Sequence, residues 1–64
     1  MEMQPKDIRM MRFDEVKKVT GLSAYSINKA MEEGNFPPAY RLSVRIRAWK
    51  SNEIYGWMAS RGKA

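Results

Sequence analysis

A polar run and three closely spaced arginines are the residues of this chain best suited to chemistry. An asparagine amide can pair with adenine, and arginine or lysine can bind guanine or phosphate. Side chains of this kind, in this order, favour contact with double-stranded nucleic acid. The candidate DNA-binding residues are Ser23, Ala24, Tyr25, Ser26, Asn28, Lys29, Arg41, Arg45 and Arg47.

These candidates differ in the contact that we expect of them. Asn28 is the best candidate for hydrogen bonding to a base, and Lys29 can bind guanine or a phosphate. Tyr25 and Ser26 are expected to contact the sugar-phosphate backbone of the DNA. Arg45 is the strongest candidate for a phosphate or minor-groove contact. Each has an ordinary alternative, because exposed Asn and Lys are common on helices and a charged hairpin also protects its own edges from aggregation.

Catalysis has little material in this chain. It contains no Cys and no His, which removes thiol nucleophiles, disulfides, most zinc sites and the commonest proton-transfer group. The carboxylate pairs 14/15 and 32/33 are adjacent in sequence, so each pair diverges on a helix. We therefore expect no enzyme, no metal, no cofactor and no small-molecule substrate.

The positive charge is unevenly distributed along the 64 residues. The net charge is +5, residues 1–38 are balanced, and residues 39–64 hold six basic residues against Glu53 alone. Such asymmetry indicates a polyanionic partner, although small basic proteins also carry solvating charge without one. No apolar run is long enough for a membrane span or signal peptide, so we expect a cytoplasmic, nucleoid-associated protein without membrane contact.

Two short helices joined by a tight turn precede the basic segment. Asp14 is predicted as the N-cap of a first helix ending at Thr20, and Gly21 can take the left-handed conformation that ends it. Ser23 is predicted to cap a second helix that runs to about Glu33. The expected inward face of the second helix consists of Ile27, Ala30 and Met31.

A hairpin and a third helix are expected after Pro37 and Pro38. The strands are predicted at 40–42 and 47–49 with a tip at 43–46, and 8–13 can form a further short strand. Strict alternation from Trp49 would turn Arg47 inward, so we expect a bulge or an arginine that reaches back to the surface. Ser51 is predicted to cap a last helix over about 52–61, and Phe36, Trp49 and Trp57 are expected in the core rather than as base-stacking platforms.

The predicted fold is mainly α with a small β-hairpin. It is a winged helix-turn-helix with three helices and a two- or three-stranded wing, over residues 8–61. Residues 1–7 are expected to be a flexible leader and 62–64 a flexible tail.

The run from Arg12 to Arg61 resembles the AlpA family of small phage and genomic-island regulators, related to MerR-like winged helices and to phage excisionases. The resemblance rests on several short motifs in the same order. They are Glu15-Val16, TGLS at 20–23, Ile27, EGNFP at 33–37, Arg41-Leu42, Arg45, and the spacing of Trp49, Glu53, Ile54 and Trp57.

The resemblance implies a transcriptional regulator or a recombination directionality factor. The implied DNA-contacting positions are Ala24, Tyr25, Asn28 and Lys29 on the recognition helix, and Arg45 on the wing. This sequence departs from the family in having Ala24 where an arginine is common, no glycine near Ser43, and Arg47 at a usually apolar position.

The predicted function is therefore sequence-specific binding of double-stranded DNA by a prophage or genomic-island regulator or excisionase. Further expected partners are an integrase and other copies of the chain on adjacent DNA sites. The alternative is a small interaction module or inhibitor whose basic hairpin binds an acidic host protein.

Overall fold

The three helices and the small sheet of this chain lie within the described residues, 8–62 of a computed structural model. In chain order the elements are β1 (Met10–Met11), α1 (Phe13–Thr20), α2 (Ala24–Glu32), β2 (Tyr40–Arg41), β3 (Arg47–Lys50) and α3 (Ser51–Ala59). The predicted fold class is confirmed at this level, three helices with a small antiparallel sheet. The predicted leader, 1–7, and positions 63 and 64 of the predicted tail lie outside the described residues.

β3 is the central strand of the sheet, whose order is β1-β3-β2 with both neighbours antiparallel. Met11 pairs with Trp49 on one side, and Tyr40 pairs with Ala48 on the other. The predicted hairpin is present, although its first strand stops at Arg41. The early strand is shorter than the predicted 8–13, because Phe13 already begins α1.

The core combines side chains from β1, β3, the loop after α2 and all three helices. Its fully buried side chains are Met11, Val16, Ile27, Trp49 and Ile54, and Phe36 is nearly so. The Phe13 and Trp49 rings stack with centroids 5.8 Å apart, and Phe36 meets Trp57 edge-on at 4.8 Å. The Trp49 indole N–H donates to the Pro37 carbonyl at 3.1 Å. The prediction that these aromatic rings pack inward is confirmed.

The turn between α1 and α2 is stabilised by local bonds. Gly21 has φ 77° and donates its N–H to the Lys17 carbonyl at 2.8 Å, which ends α1 in the left-handed conformation. The Thr20 hydroxyl accepts from the Leu22 N–H at 3.2 Å. Ser23 Oγ then accepts from the Ser26 N–H at 3.1 Å and begins α2. The predicted glycine stop and serine cap are both confirmed.

The predicted caps of the other two helices are wrong. Arg12 precedes α1 as its N-cap without a side-chain bond, and Asp14 lies in the first turn, where its charge suits the helix dipole. Lys50, not Ser51, is the N-cap of α3. Ser51 is 3 % exposed, and its hydroxyl accepts from the Arg9 N–H at 2.9 Å. α3 also ends at Ala59, short of the predicted end at position 61.

A surface ion pair joins the segment before β1 to α1. The two terminal nitrogens of the Arg9 guanidinium, Nη1 and Nη2, donate to the Glu15 carboxylate, Nη1 at 2.7 Å. These bonds hold the pKa of Glu15 below its ordinary value of 4.5 and raise the pKa of Arg9. Together with Ser51, this pair fixes Arg9 at the edge of the sheet.

We predict that Ser51→Ala destabilises the protein although alanine favours helix. The substitution leaves the Arg9 N–H without its acceptor, and the free energy of unfolding should fall by about 1 to 2 kcal/mol. Urea unfolding monitored by tryptophan fluorescence measures this change. Asn52→Ala, at the next and exposed position, is the matched control and should be neutral. Equal stability of Ser51→Ala and wild type would contradict the buried role of this hydroxyl.

We predict that the free energy of unfolding falls in acid partly because Glu15 becomes protonated. Since its folded pKa lies below 4.5, the unfolded chain takes up this proton first, and the stabilisation present above pH 4.5 is lost as the pH falls through the folded value. Glu15→Gln should therefore melt below wild type at pH 7. The difference in melting temperature should shrink in more acidic buffer. A difference that is constant with pH would show that the pair contributes nothing by charge.

Candidate nucleic-acid interface

The predicted recognition helix presents a polar outer face. Ile27 points into the core with no exposed surface, whereas Asn28 and Lys29 are exposed and Tyr25 is 72 % exposed. Ser23 is also exposed, and Ala24 and Ser26 are half-buried. This separation follows from helical spacing, because the residue that anchors α2 and the residues beside it face different directions. The arrangement leaves an amide, an amine and a phenol available on one short helix.

Some of these polar groups already have partners. The Ser23 hydroxyl donates to Ser26 Oγ at 3.1 Å while it caps the helix, so the two serines stabilise the start of α2. The Lys29 ammonium lies 3.9 Å from a Glu33 carboxylate oxygen, one turn further along. An exposed pair of this kind contributes little to stability, so Lys29 can exchange Glu33 for another anion at small cost.

The hairpin tip closes without glycine. The Leu42 N–H donates to the Ile46 carbonyl at 2.7 Å, and the Arg41 guanidinium donates to the Val44 carbonyl at 3.2 Å. Within residues 8–62, only Gly21 and Gly34 have positive φ. The tip is therefore built from conformations that β-branched Val44 and Ile46 can adopt, which accounts for the glycine missing near Ser43.

Arg47 lies on the same side of β3 as Trp49 yet remains exposed. Its guanidinium carbon is 5.9 Å from the centroid of the Trp49 ring, so the charged head lies over an aromatic face. Arg47 and Ala48 pair with consecutive residues of β2, and Trp49 pairs with Met11 of β1. No extra residue interrupts either pairing. Of the two predicted outcomes, the arginine that reaches the surface is confirmed and the bulge is not present.

Arg41 and Arg47 are direct cross-strand partners. Like charges in this position repel, and among the described residues neither arginine forms an ion pair. Arg45 is exposed between them at the tip. The hairpin therefore concentrates uncompensated positive charge on exposed residues.

The base of the hairpin is tied to α3. The Tyr40 hydroxyl donates to the Glu53 carboxylate at 3.0 Å, and this bond raises the pKa of Tyr40 above its ordinary 10.0. The Lys50 ammonium lies 4.7 Å from the centroid of the Tyr40 ring. These contacts hold the base of the hairpin against α3.

A cleft that the sequence did not reveal lies between the start of α1 and the hairpin. It has a volume of about 260 Å³ and is lined by Arg12, Arg45 and Arg47, among others. The sequence prediction missed Arg12, because it lies 33 positions before Arg45 and its proximity depends on the pairing of β1 with β3. Within residues 8–62, no cluster of metal-ligating side chains and no helix fit to cross a membrane is present.

These features define a small protein with an exposed polar helix face and a basic hairpin on short, closely packed elements. Residues 9–62 match the family described as prophage CP4-57 regulatory protein (AlpA), and the chain belongs to this family. The sequence resemblance is thereby confirmed, and the family is one of regulators rather than of enzymes.

A related sequence comes from Enterobacteria phage P4. It is an uncharacterized protein, ORF88, that is 38 % identical over 53 residues, which are 83 % of this chain and 60 % of the relative. The chain thus spans about three fifths of the length of that relative. No solved structure matches this chain.

We predict that Ser43→Gly does not improve the hairpin. Since the tip needs no positive φ, glycine only adds conformational freedom to the unfolded chain and should cost up to about 1 kcal/mol of unfolding free energy. Thermal unfolding of wild type and variant provides the measurement. A more stable glycine variant would show that the tip is strained at this position.

Proposed function

We propose that this protein is a winged helix-turn-helix regulator that binds double-stranded DNA sequence-specifically. In this proposal α2 enters the major groove and the β2–β3 hairpin acts as the wing. The observation that carries the proposal is the opposed pair Arg41 and Arg47, with Arg45 between them and no ion pair on the three among residues 8–62. A polyanion brought to the hairpin would relieve their mutual repulsion.

The proposed base readers are on α2. Asn28 pairs with adenine through its amide, and Lys29 leaves Glu33 to contact guanine or phosphate. Tyr25 contacts the sugar-phosphate backbone of the DNA. Ser26 does the same where its bond to Ser23 permits. Ala24 lacks the charge of the arginine common at this position and offers its methyl group to a thymine methyl.

The proposed wing supplies most of the affinity. Its arginines contact phosphates or the minor groove, where narrow segments attract positive side chains. Because α2 carries little net charge and the hairpin carries much, sequence discrimination and electrostatic attraction come from different elements. Family membership supports a role in a prophage or genomic island.

The biological output that we propose is control of transcription or of excision from the host chromosome. Binding upstream of an integrase gene corresponds to transcriptional regulation, and binding within an attachment site corresponds to excisionase activity. Several copies on adjacent sites, or an integrase beside them, would extend the small contact area of one protomer. Such a protein would act in the cytoplasm at the nucleoid.

A second candidate is a module that binds an acidic host protein. The observation that favours it is apolar surface at the hairpin tip, where Val44 is 84 % exposed and Leu42 is 50 % exposed beside the arginines. A stable protein complex that duplex DNA does not displace would support this candidate over DNA binding.

The first test is footprinting on the DNA around the gene and the attachment sites, followed by affinity measurements at several salt concentrations. If about five cationic side chains contact phosphates, the logarithm of affinity should fall with the logarithm of salt concentration with a slope of roughly −4 to −5. Absence of duplex binding, or an affinity independent of salt, would overturn the proposal.

We predict that Arg45→Ala and Asn28→Ala weaken binding in different ways. Losing Arg45 should reduce affinity for all duplexes. It should also make the negative salt slope shallower by about 1, because a phosphate contact is lost. Losing Asn28 should cost about 1 to 3 kcal/mol on the preferred site and little on unrelated DNA. Fluorescence anisotropy with specific and scrambled duplexes separates the two effects.

The matched control is Arg61→Ala, which removes the same charge from a side chain that lies 4.6 Å from the Trp57 ring centroid and does not line the cleft beside the hairpin. It should keep the wild-type slope and preference. An identical loss on every duplex for the Arg45 and Asn28 variants would refute the assignment of separate roles.

A further inference from the structure

The cleft between α1 and the hairpin contains an arginine that the proposed function has not used. Arg12 is exposed at the start of α1 and lines the cleft together with Arg45 and Arg47. Three arginine residues from two separate elements therefore line one small space. Positive charge gathered in this way is costly unless an anion occupies the space between the groups.

The Arg12 side chain is available for such an anion. Its backbone carbonyl accepts the first bond of α1, from the Val16 N–H at 3.0 Å, but its side chain makes no capping bond. Among the described residues it forms no ion pair, whereas the neighbouring Arg9 is held by Glu15. The structural work at this position is done by the backbone, so the guanidinium remains free to bind a ligand.

The walls of the cleft favour an anion with several hydrogen-bond acceptors. Phe13 and Trp49 stack and form an apolar back wall, on which Arg47 rests. Such a wall lowers the local dielectric and strengthens each charge-assisted bond. Guanidinium groups bind phosphate oxygens in a two-pronged geometry, and two of them from different elements can hold one phosphate.

One carboxylate opposes this charge. Asp14 also lines the cleft, with its side chain 93 % exposed and 3.9 Å from the Lys17 ammonium. This exposure and the neighbouring lysine screen its charge, and the cleft keeps three guanidinium groups against a single carboxylate. The volume of about 260 Å³ is below the range of about 300 to 1,000 Å³ usual for small-molecule sites.

We propose that this cleft binds a phosphate of the DNA backbone, with Arg12 holding it from α1 while Arg45 and Arg47 hold it from the wing. The inference rests on the proposed function and adds Arg12 to its DNA-binding residues. The consequence is mechanical as well as electrostatic, because one strand of DNA joins the first helix to the hairpin tip. Asp14, which lines the same cleft, would then weaken phosphate binding because its carboxylate repels the phosphate.

The test compares Arg12→Gln with wild type by anisotropy on specific and scrambled duplexes over a range of salt. Because Arg45 and Arg47 still contact the phosphate, loss of Arg12 should make the negative salt slope shallower by at most about 0.9 and weaken both duplexes to a similar extent. Asp14→Asn should tighten both. Lys18→Gln is the matched control, since it removes a charge from an exposed position of α1 outside the cleft, and it should retain the wild-type slope.

A double-variant cycle tests whether the two elements hold the same phosphate. Arg12→Gln and Arg45→Gln together should lose less affinity than the sum of the single losses, because each removes support from a shared contact. Additive losses would overturn the shared site. Melting temperatures of the two single variants and the double variant of this cycle should match that of wild type, because neither Arg12 nor Arg45 has a side-chain bond among the described residues.

The outcomes separate this inference from the proposed function. Wild-type behaviour of Arg12→Gln, with a reduced slope for Arg45→Ala, would overturn the cleft and leave DNA binding intact. Absence of duplex binding by wild type would overturn both. Titration with inorganic phosphate and with adenosine monophosphate, monitored by tryptophan fluorescence, forms the second arm. Binding of these anions that depends on Arg12, while duplex affinity does not, would overturn the assignment to DNA backbone.

Discussion

Burial of Trp49 is the constraint that brings the sheet, the first helix and the loop after α2 together. Trp49 lies in the central strand, pairs with Met11, stacks on Phe13 and donates its indole N–H to Pro37. A domain of 64 residues buries only about 60 % of its unfolded surface, so a single ring of this size carries a large part of its stability. The hairpin and α1 therefore have a fixed relation because both contact the same side chain.

The same constraint determines where the charge of the hairpin goes. Strand alternation places Arg47 on the face of Trp49, where an inward guanidinium would be buried without a partner. The long side chain instead lays its head near the aromatic ring and reaches water. The buried Trp49 and the proposed DNA-binding Arg47 therefore lie side by side, and both line the cleft that contains Arg12.

Local features of the fold were predictable from sequence, and features that depend on distant pairing were not. The left-handed Gly21 and the Ser23 cap follow from residues within one turn, and both were predicted. Ser51 was misjudged because its hydroxyl is used by Arg9, 42 positions away, once β1 and β3 pair. Arg12 was missed for a similar reason. The closure of the glycine-free hairpin tip could not be predicted, since the bonds from Leu42 and Arg41 that close it cannot be read from composition.

The proposed separation of affinity from selectivity follows from these contacts. On α2 the charge of Lys29 is paired with Glu33, so in the proposed complex its exposed face would attract DNA weakly and would depend on Asn28 for recognition. On the hairpin, Arg41 and Arg47 oppose each other and are relieved by any phosphate, whatever the base sequence. A change at the wing should then alter how tightly all DNA is held, while a change on α2 alters which DNA is preferred. Because Trp49 packs the hairpin against α1, the proposed wing would hold DNA in a defined position for α2 to read.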